Sequence, residues 1–572
     1  MRCQRTSFGA ASPTHPMRKT MTQWYAQTLG DVLSRNAELF PNEEALVIDG
    51  RRLAYGELQQ HVVDMAAGLG ALGVKRGDHV AVCMGNSLEW VVFFYAAARL
   101  GAVTVPVNTR FKADELAYCL RHADVKLLFM ADRFLNIDFV SMLRSICPAV
   151  DQTLPDPKLP RLENVVVVGS HVPRGALKLD DMIALGVSYD DPAFDEVIPG
   201  DVLLMQFTSG TTSYPKGVML THDNMLRNAA YVAERFDLER GDRYYSARTF
   251  YHVAGTTLSL LAALVTGACL LSSGHFDAEE ALGVMSAEGC SHTSGNDTMF
   301  LMMLNHPNFA SYPLKLRGGW VSAGAEVSRQ AMERMGMAGL CHAYGLSEAS
   351  PNVAMSWHDD DVEKRVDGWA HVLEGLDVRI YDRDTHKDVA PGVPGEILVR
   401  GWSVMKGYYK MPDETARAID DEGWLHTGDL GMMDEDGRLR FAARLKDVFR
   451  VGGENVAPAE VEDMLHRHPK VKQAQVIGVP DGRLVEVPAA YVILKEGERS
   501  TPEEIIAWSK ARMANFRVPR YVKIVETFEN IGMTGSAKVQ KNKLRAQALI
   551  DFDLSEPFAV SGGLGEAGSP LT

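Results

Sequence analysis

A regular alternation of short apolar strands and helical segments constrains the fold of this chain more than any other feature of its sequence. Residues 80–84 form a compact apolar run typical of a buried strand, residues 88–100 have helical apolar spacing, and residues 102–107 form a second apolar strand. The same alternation continues beyond Val321. Strands that alternate with helices form parallel sheets, because each crossover helix packs on a face of the sheet. The sequence therefore predicts an α/β fold whose large N-terminal region consists of layered, mainly parallel sheets and helices.

The pattern changes near residue 395 and again after Lys446. Residues 396–400 alternate between apolar and polar, as a half-exposed strand does, and the polar turn 434–437 separates two short strands, which indicates a hairpin. Beyond Lys446 the elements become shorter, which is typical of a compact α+β domain of about 100 residues. The predicted segments are a disordered extension over 1–28, an N-terminal domain over 29–445, a small C-terminal domain over 446–548 and a disordered tail over 549–572.

Charge and cysteine content exclude several functional classes. The chain has 59 Lys and Arg against 74 Asp and Glu, whereas generic nucleic-acid binding usually shows a basic excess. Its 7 cysteines are scattered without a C-x-x-C pair, which indicates a reducing compartment, taken here as the cytoplasm, and gives no zinc-site spacing. The longest apolar stretch, 258–271, is shorter than the roughly 20 residues that a transmembrane helix needs. We therefore expect small-molecule partners, no nucleic acid and no transmembrane segment.

Residues 68–73 fit the G-x-G-x-x-G pattern of dinucleotide-binding loops. That loop has to follow a strand and begin a helix, because the phosphates bind at the helix N-terminus. Here the glycines come at the end of a helical segment and precede the strand at 80–84. The pattern is therefore interpreted as a helix C-cap and turn.

Residues 203–218 combine an apolar strand with a loop that is rich in hydroxyl groups and glycine. Glycines allow backbone N–H groups to converge on an anion, hydroxyls add donors, and Lys216 supplies a positive charge. This composition suits a polyphosphate, although it does not fit a Walker A loop. Composition alone leaves a solvated Ser/Thr-rich turn as an equal alternative.

Residues 208–217, Thr-Ser-Gly-Thr-Thr-Ser-Tyr-Pro-Lys-Gly, resemble the phosphate loop of the adenylate-forming superfamily. That superfamily comprises acyl-CoA synthetases, adenylation domains of peptide synthetases and firefly-type luciferases. Ser213 stands where the family usually has glycine, and the resemblance extends over about residues 29–545. The resemblance implies that the following residues contact the phosphates of ATP: Thr208, Ser209, Gly210, Thr211, Thr212 and Lys216.

Residues 344–348, Tyr-Gly-Leu-Ser-Glu, are similar to a second motif of the family. In the family the aromatic ring of this motif lies against adenine, and its glutamate holds Mg²⁺, a cation that prefers one or two carboxylates plus phosphate oxygens. The resemblance therefore implies a metal site at Glu348 with Thr208. It also implies nucleotide contacts by Tyr344, Gly345 and Ser347, the last of which replaces the usual threonine.

Two further segments resemble the family's adenine and ribose sites. Residues 322–326 occupy the place of the adenine loop and include Gly324, Ala325 and Glu326, although a plain strand-to-helix turn is a competing interpretation. Residues 422–431 match the segment whose aspartate, here Asp429, accepts hydrogen bonds from both ribose hydroxyls. Arg444 corresponds to an arginine that contacts ribose or phosphate, with Ala443 in place of a usual glycine.

The remaining motifs resemble the family's mobile domain and its acyl site. Lys446 falls on the hinge position, Gly452 and Gly453 match the glycine pair that passes close to the pantetheine arm of coenzyme A, and Lys538 matches the lysine that reaches the adenylation site. Ala537 stands where glycine is usual. His252 corresponds to a histidine beside the acyl carboxylate, and a buried core histidine is an equal alternative.

The resemblance implies an ATP-dependent carboxylic acid–CoA ligase, in which Lys538, Glu348, Lys216 and His252 are the catalytic residues. ATP, Mg²⁺, coenzyme A and a small carboxylic acid are the implied cofactors and partners, and a homodimer is the assembly considered. Two alternatives stay open: an adenylation enzyme that loads a carrier protein, and a non-catalytic nucleotide-binding homologue. The pocket-lining set Tyr251, Val253, Ser294, Asn296 and Trp320 mixes polar and apolar side chains, which leaves the acid undetermined.

Overall fold

A computed structural model of the chain describes residues 27–188, 196–208, 215–451, 454–533 and 539–554. These residues form two compact units, of which the large one ends at Ala442 and the small one begins at Ala443. The predicted boundary lies three residues later, between 445 and 446. Each unit has its own apolar core.

The strands of the large unit are, in chain order, β1 (Glu44–Ile48), β2 (Arg51–Ala54), β3 (His79–Cys83), β4 (Val103–Pro106), β5 (Leu127–Ala131), β6 (Arg133–Phe134), β7 (Ile137–Asp138), β8 (Asn164–Val168), β9 (Leu177–Lys178), β10 (Val202–Thr208), β11 (Lys216–Thr221), β12 (Arg243–Tyr245), β13 (Cys269–Ser272), β14 (His292–Asn296), β15 (Gly318–Ser322), β16 (Gly339–Gly345), β17 (Asn352–Met355), β18 (Trp369–Val372), β19 (Leu376–Asp382), β20 (Lys387–Asp388), β21 (Gly395–Gly401), β22 (Leu425–Met433) and β23 (Arg438–Arg444).

Its helices are α1 (Leu29–Leu39), α2 (Tyr55–Ala71), α3 (Leu88–Arg99), α4 (Ala113–His122), α5 (Phe139–Ile146), α6 (Leu179–Val187), α7 (His222–Arg235), α8 (Val253–Gly255), α9 (Ala262–Thr266), α10 (Ala278–Ala287), α11 (Asp297–Leu304), α12 (Ala325–Met335), α13 (Val362–Val366) and α14 (Pro412–Ala418). The predicted alternation of strand and helix is confirmed over β3, α3 and β4. The glycine pattern at 68–73 lies at the end of α2, where Gly73 has a φ of 77°, so it is a helix terminus and turn as predicted.

The strands of the large unit form two main sheets. One has the order β11-β10-β4-β3-β5-β8-β9, and it is parallel except for the antiparallel pair β10–β11. The other has the order β2-β1-β13-β12-β14-β15-β16-β17-β18-β23-β22-β21-β19-β20. A continuous apolar core joins side chains from both sheets with helices α1, α2, α3 and α7.

The larger sheet corrects the expectation of mainly parallel pairing. Its strands are parallel from β1 through β16, but β16 pairs antiparallel with β17, and the pairs β17–β18, β18–β23, β21–β22 and β19–β21 are also antiparallel. Short turns connect several of these strands, and a short turn can join only antiparallel neighbours. The alternation of strands with long helices therefore predicts the parallel pairing from β1 through β16, but not the antiparallel pairing of the remaining strands.

Strand β21 is buried on both faces, which contradicts the prediction of a half-exposed strand at 396–400. The apolar positions Ile397 and Val399 lie in the main core, as the alternation indicates. The polar position Glu396 is only 2% exposed, because the Arg383 guanidinium donates two hydrogen bonds of 2.7 Å to its carboxylate and the N–H of Gly428 donates a third of 3.0 Å. A buried, fully bonded carboxylate is indistinguishable from a surface one in the sequence pattern.

The small unit is an α+β structure, as the shorter elements beyond Lys446 predict. It contains β24 (Phe449–Val451), β25 (Glu454–Val456), α15 (Pro458–His466), β26 (Val471–Asp481), β27 (Val485–Leu494), α16 (Pro502–Lys510), β28 (Tyr521–Ile524) and α17 (Lys541–Asp551). Its sheet has the order β25-β24-β27-β26, with β28 parallel to β27. Helix α17 continues through Asp551, so it extends into the predicted tail, which begins at residue 549.

Within the described residues, no helix is long and apolar enough to cross a membrane. Residues 258–271, the longest apolar stretch, divide between a buried helical segment and strand β13. The described cysteines are all free and buried, and they are Cys83, Cys119, Cys147, Cys269, Cys290 and Cys341. They are core residues, as predicted, and burial raises the pKa of the Cys83 and Cys341 thiols to about 12.

Candidate active site

The hairpin of β10 and β11 positions the first part of the candidate site. Thr208 at the end of β10 stands opposite Lys216 at the start of β11. Both residues therefore lie at the end of the strand pair where the connecting segment joins the two strands. The predicted donors Ser209, Gly210, Thr211 and Thr212 belong to the connection between the strands and lie outside the described residues. The helix predicted after this segment is α7, which begins with a capping box between Thr221 and Asn224.

Lys216 already has a negatively charged partner within the chain. Its Nζ atom lies 2.5 Å from Oε2 of Glu414, on helix α14, and 4.8 Å from the centre of the Tyr408 ring. The hydrogen bond from Lys216 holds the pKa of the Glu414 carboxyl below its usual value. Arg417 also contacts the other oxygen of Glu414. The lysine is therefore fixed at the end of the hairpin by a carboxylate and an aromatic face.

Tyr408 connects this lysine to Glu348. Its hydroxyl donates a hydrogen bond of 2.9 Å to Oε1 of Glu348, and the N–H of Met405 donates one of 2.9 Å to the Glu348 carbonyl. Within the described chain Oε2 of Glu348 accepts no hydrogen bond. The continuous contacts from Thr208 and Lys216 through Tyr408 to Glu348 unite three residues that the sequence analysis treats as separate motifs.

The residues around Glu348 fit a magnesium ion. Mg²⁺ takes oxygen ligands, usually one or two carboxylates together with substrate phosphates and water. Glu348 supplies a carboxylate that is only partly used by Tyr408, and Thr208, which stands opposite Lys216 in the strand pair, has a hydroxyl that could supply a further oxygen. The described residues include no group of three or more His, Cys, Asp or Glu side chains able to hold a metal by themselves. This donor set suits a metal that arrives with a phosphate-bearing ligand.

Tyr344 and Asp429 meet in the second part of the site. Tyr344 lies at the end of β16, and its hydroxyl donates a hydrogen bond of 2.8 Å to Oδ2 of Asp429 on β22. The Tyr344 ring stacks on Phe441 with ring centres 5.4 Å apart, and Asp429 is only 1% exposed. The N–H of Asp429 donates to Oγ1 of Thr427 at 3.1 Å. A hydrogen bond therefore holds an aromatic ring and a buried carboxylate together in this part of the large unit.

The chain after Tyr344 leaves no room for a side chain. A Cβ atom on Gly345 would lie 2.1 Å from the carbonyl oxygen of Pro351, so only glycine fits this turn. Ser347 and Glu348 follow in a single helical turn, Ser347–Ala349. The turn explains how a ring and a carboxylate four residues apart both reach the site.

The predicted adenine loop is a strand-to-helix turn. It connects β15 to α12, and the Gly324 N–H donates a hydrogen bond of 2.8 Å to Oδ1 of Asp297. Ala325 is the first residue of the helix, and Glu326 accepts a hydrogen bond of 2.7 Å from Gln330. Because β15 is parallel to β16, this turn and Tyr344 follow the carboxyl ends of adjacent strands, where α/β proteins bind ligands.

His252 is exposed, so the alternative of a buried core histidine is wrong. Its Nδ1 atom accepts a hydrogen bond of 3.2 Å from the N–H of Ala254 and so caps helix α8. The preceding carbonyl, of Tyr251, accepts a hydrogen bond of 2.9 Å from Gln206, which lies on β10 two residues before Thr208. The histidine segment is thereby fastened to the strand that ends in the phosphate loop.

Arg444 and Lys446 lie in the small unit. The carbonyl of Arg444 accepts hydrogen bonds from Asp447 at 2.9 Å and Val448 at 3.1 Å, and Lys446 is an exposed residue of this turn. Gly452, Gly453 and Lys538 lie outside the described residues.

Sequence reasoning missed three side chains near the predicted residues. Glu414 and Tyr408 contact Lys216, but an acid on a short helix and a tyrosine after a glycine have no distinctive pattern. The third is Arg248, whose guanidinium carbon lies 4.3 Å from the centre of the Trp320 ring. A single charge between Ala247 and Phe250 in an apolar segment was the signal available for it.

Two family models match the chain. One, described as AMP-binding enzyme, matches residues 33–409, and the other, described as AMP-binding enzyme C-terminal domain, matches residues 460–538. The two matches cover the large unit from α1 to the segment after β21, and most of the small unit from α15 onward.

Curated relatives are similar over nearly the whole chain. A protein of Bacillus subtilis (strain 168) named putative acyl-CoA synthetase YngI is 37% identical over 549 residues, which are 94% of this chain and 100% of that protein. The human protein named medium-chain acyl-CoA ligase ACSF2, mitochondrial, is 34% identical over 542 residues, which are 91% of this chain and 88% of that protein.

Solved structures agree with these relatives. The anthranilate CoA ligase AuaEII in complex with anthranoyl-AMP is similar with a TM-score of 0.83 and 25% identity, and the match covers 94% of this chain and 100% of that one. ATP-bound MatB from Rhodopseudomonas palustris is similar with a TM-score of 0.76 and 26% identity, over 91% of this chain and 99% of that one.

Proposed function

Because the chain belongs to the AMP-binding enzyme family and is an ATP-dependent carboxylic acid–CoA ligase, we propose that Thr208, Lys216 and Glu348 act at the phosphates of ATP. The enzyme uses ATP, Mg²⁺ and coenzyme A. In the first half-reaction the carboxylate of the acid attacks the α-phosphorus of ATP, and pyrophosphate leaves. In the second, the thiolate of coenzyme A attacks the acyl carbon of the acyl-adenylate, and AMP leaves.

The first half-reaction needs charge stabilisation, because an anionic carboxylate attacks a polyanion. Lys216 is fixed at the end of the β10–β11 hairpin where the loop predicted to bind phosphate joins β11, and it provides positive charge there. Preorganised donors of this kind stabilise the developing charge without reorganisation. Glu348 and Thr208 would hold Mg²⁺, which neutralises phosphate charge when it is bound. His252 would contact the reacting carboxylate from the segment fastened to β10.

Recognition of the nucleoside is proposed for the second part of the site. Asp429 would accept hydrogen bonds from the ribose hydroxyls, and Tyr344 holds that carboxylate in place through its own hydroxyl. Adenine would lie against Tyr344 and the turn at Gly324, Ala325 and Glu326. The backbone at Gly345 and the hydroxyl of Ser347 would complete the contacts, with Ser209, Gly210, Thr211 and Thr212 on the phosphates.

The small unit is proposed to alternate between the two half-reactions. Lys538 would enter the adenylation site during the first, and Gly452 with Gly453 would line the path of the pantetheine arm during the second. Lys446 would be the hinge, and Arg444 would contact ribose or phosphate. One lysine and the thiol of coenzyme A need the same space, which favours this division into two arrangements of the small domain over 446–548.

The observation that supports these roles most directly is the hydrogen bond from Tyr408 to Glu348, since it links the lysine and the carboxylate of two separate motifs. The test is ATP–pyrophosphate exchange with a panel of acids, followed by CoA-dependent release of AMP. We expect Glu348→Gln to lower exchange by about 10²–10³-fold. Glu363→Gln is the matched control, because Glu363 is an exposed carboxylate paired with Arg329 at 2.8 Å.

Three outcomes of this test contradict the proposal in different ways. Equal activity of Glu348→Gln and Glu363→Gln excludes the metal role of Glu348. Exchange that coenzyme A does not convert into thioester indicates that another thiol, such as that of a carrier protein, is the acceptor. Absence of exchange with every acid excludes the enzyme function.

We also propose a cytoplasmic location and a homodimeric assembly. The free, buried cysteines of the described chain support a reducing compartment. Light scattering of the purified protein tests the dimer, and fractionation of the source cells tests the location.

A further inference from the structure

Two nitrogen atoms of the Arg248 guanidinium are buried without a hydrogen-bond partner among the described residues. The residue as a whole is half-buried, but its Nε and Nη2 atoms are fully buried, and neither makes a hydrogen bond to any described residue. One face of the group lies on the Trp320 ring, with 4.3 Å from the guanidinium carbon to the ring centre. An aromatic face stabilises a cation but does not satisfy its N–H groups.

The platform beneath the guanidinium is held by its own hydrogen bonds. Trp320 donates from Nε1 to the Tyr244 hydroxyl at 2.8 Å, and that hydroxyl donates to Ser294 Oγ at 2.8 Å. Ser294 in turn donates to Ser246 Oγ at 3.3 Å. These hydroxyls bond to one another, and none of them accepts a hydrogen bond from Nε or Nη2 of Arg248.

The backbone of Arg248 is also fixed. Asn86, which is 4% exposed, donates a hydrogen bond of 2.9 Å to the Arg248 carbonyl and accepts one of 2.8 Å from the N–H of Phe250. The backbone from which the Arg248 side chain extends is therefore held in place by a buried amide.

Two other buried arginines of the described residues have polar partners, although Nε of Arg235 is also buried without one. Arg235 bonds to Glu374 at 2.8 Å and to the carbonyl of Met355 at 3.0 Å, and Arg365 bonds to three backbone carbonyls. For Arg248, burial without such partners lowers the pKa of the guanidinium to about 10. Buried charges in native proteins are normally paired, so an unpaired one indicates a partner from outside the chain.

The two unpaired atoms identify the chemistry of that partner. Nε and Nη2 are the parallel edge of a guanidinium, which matches the two oxygens of a carboxylate. The same edge of Arg76 holds Asp201 at 2.8 Å from each nitrogen, and the same edge of Arg383 holds Glu396 at 2.7 Å. Arg248 presents this edge with no carboxylate from the described residues.

The location links this edge to the site already described. Arg248 follows strand β12, which runs parallel to its neighbour β14. Strand β15 is parallel to the other edge of β14, and Ser294 on β14 lies opposite Trp320 on β15. The predicted adenine loop begins two residues after Trp320, and His252 lies four residues after Arg248. These strand ends lie at one edge of the sheet, as ligand sites of α/β proteins do.

We propose that Arg248 binds a second carboxylate of the acid substrate, so that the preferred substrates are dicarboxylic acids. This inference rests on the acid–CoA ligase activity and on the proposed position of His252. The reacting carboxylate is not the partner, because a bidentate pair would occupy the same oxygens that attack the α-phosphorus. Trp320 forms the wall on which the distal carboxylate and the guanidinium lie.

The experiment compares acids of equal length with one or two carboxylates, such as hexanoate with adipate and octanoate with suberate. We measure kcat/KM for CoA-dependent AMP release by the full chain, and the affinity of each acid by calorimetry. The variants are Arg248→Met, which keeps the packing on Trp320 without charge, and Arg248→Lys, which keeps charge without the bidentate edge. The matched control is Arg365→Met, which removes a buried arginine whose partners are carbonyls.

We expect the wild type to prefer the diacid of at least one pair. Arg248→Met should lose about 10²-fold in kcat/KM for that diacid, the scale of a charge-assisted hydrogen-bonded pair, and should leave the monoacid nearly unchanged. Arg248→Lys should be intermediate. In the absence of ligand, Arg248→Met should raise Tm by about 2 °C, because it removes an unpaired buried charge, whereas Arg365→Met should lower it.

Other results overturn the inference without affecting the ligase function. Adenylation of monoacids alone, or an equal loss for both acids in Arg248→Met, shows that Arg248 has no distal carboxylate to bind. A lower Tm for ligand-free Arg248→Met shows a structural role. If no acid of the panel is adenylated, the function itself fails, and calorimetry still decides the inference: diacid binding that Arg248→Met abolishes supports it, and absence of binding overturns it.

Discussion

Lys216 and Arg248 are two buried or half-buried cations of the large unit, and they differ in how their charge is compensated. Lys216 lies 2.5 Å from Glu414 and against the Tyr408 ring, whereas Arg248 lies against the Trp320 ring with no carboxylate among the described residues. A phosphate that binds Lys216 has to compete with an internal carboxylate. A carboxylate that binds Nε and Nη2 of Arg248 would meet no competing carboxylate among the described residues. The two proposed anion sites therefore differ, because the first requires exchange of the carboxylate partner and the second requires direct pairing.

The largest effect is expected from Lys538→Ala, which tests whether the fixed cation Lys216 is sufficient for adenylation. We expect the variant to abolish ATP–pyrophosphate exchange, because the mobile lysine would supply charge that Lys216 cannot replace. Thioester formation from preformed acyl-adenylate should be retained. An equal loss of both half-reactions would refute the division of labour between them.

The next effect is expected from Lys216→Met, which removes the cation that has an internal partner. Exchange should fall by about 10²-fold. The loss should appear in the dependence of the rate on ATP concentration, and the affinity for the acid should be unchanged. Lys364→Met is the matched control, because Lys364 also has a carboxylate, Asp434, at 3.2 Å and an aromatic face, that of Trp369, at 5.2 Å. A rise in KM for the acid would show that the two cations are not independent.

The smallest effect is expected from Glu414→Gln, which frees Lys216 from its competitor. KM for ATP should fall by about two- to fivefold, the scale of an exposed ion pair, and the effect should shrink at high salt. Because the Lys216 hydrogen bond lowers the pKa of Glu414, the competitor stays ionised at pH 7, and the effect should disappear on acidification as that carboxyl becomes protonated. An increase in KM would instead mean that Glu414 positions the lysine for ATP.

Local sequence predicted the parts of this molecule that depend on neighbouring residues. The β10–β11 segment, the cap at Thr221 and the turn before α12 follow from strand, cap and helix patterns within a few residues. The meeting of Tyr344 with Asp429 joins positions 85 residues apart, and only the resemblance to a family indicated it. No local rule fixes which strands become neighbours in the antiparallel half of the larger sheet.

The hardest residues to predict were those that pair with a residue distant in the sequence and those whose buried atoms lack a hydrogen-bond partner. Glu414 has the sequence of an ordinary helix-surface acid, and only its distance to Lys216 shows its role. Arg248 is conspicuous only because buried atoms lack partners, and burial is a property of the packed structure. Glu396 shows the reverse, since three hydrogen bonds make a charged residue suitable for a position that the pattern assigns to the surface.

The hydrogen bonds of Asn86 have a mechanical consequence. This residue follows β3 of the parallel sheet, yet it holds Arg248 and Phe250, which follow β12 of the larger sheet, and it also donates to Ser272 at 3.1 Å. The position of Arg248 therefore depends on how tightly the two sheets pack against each other. We expect heat, pressure or a distant core mutation that loosens this packing to lower the affinity for the acid before the protein unfolds. The affinity for the acid would then report on the packing between the two sheets.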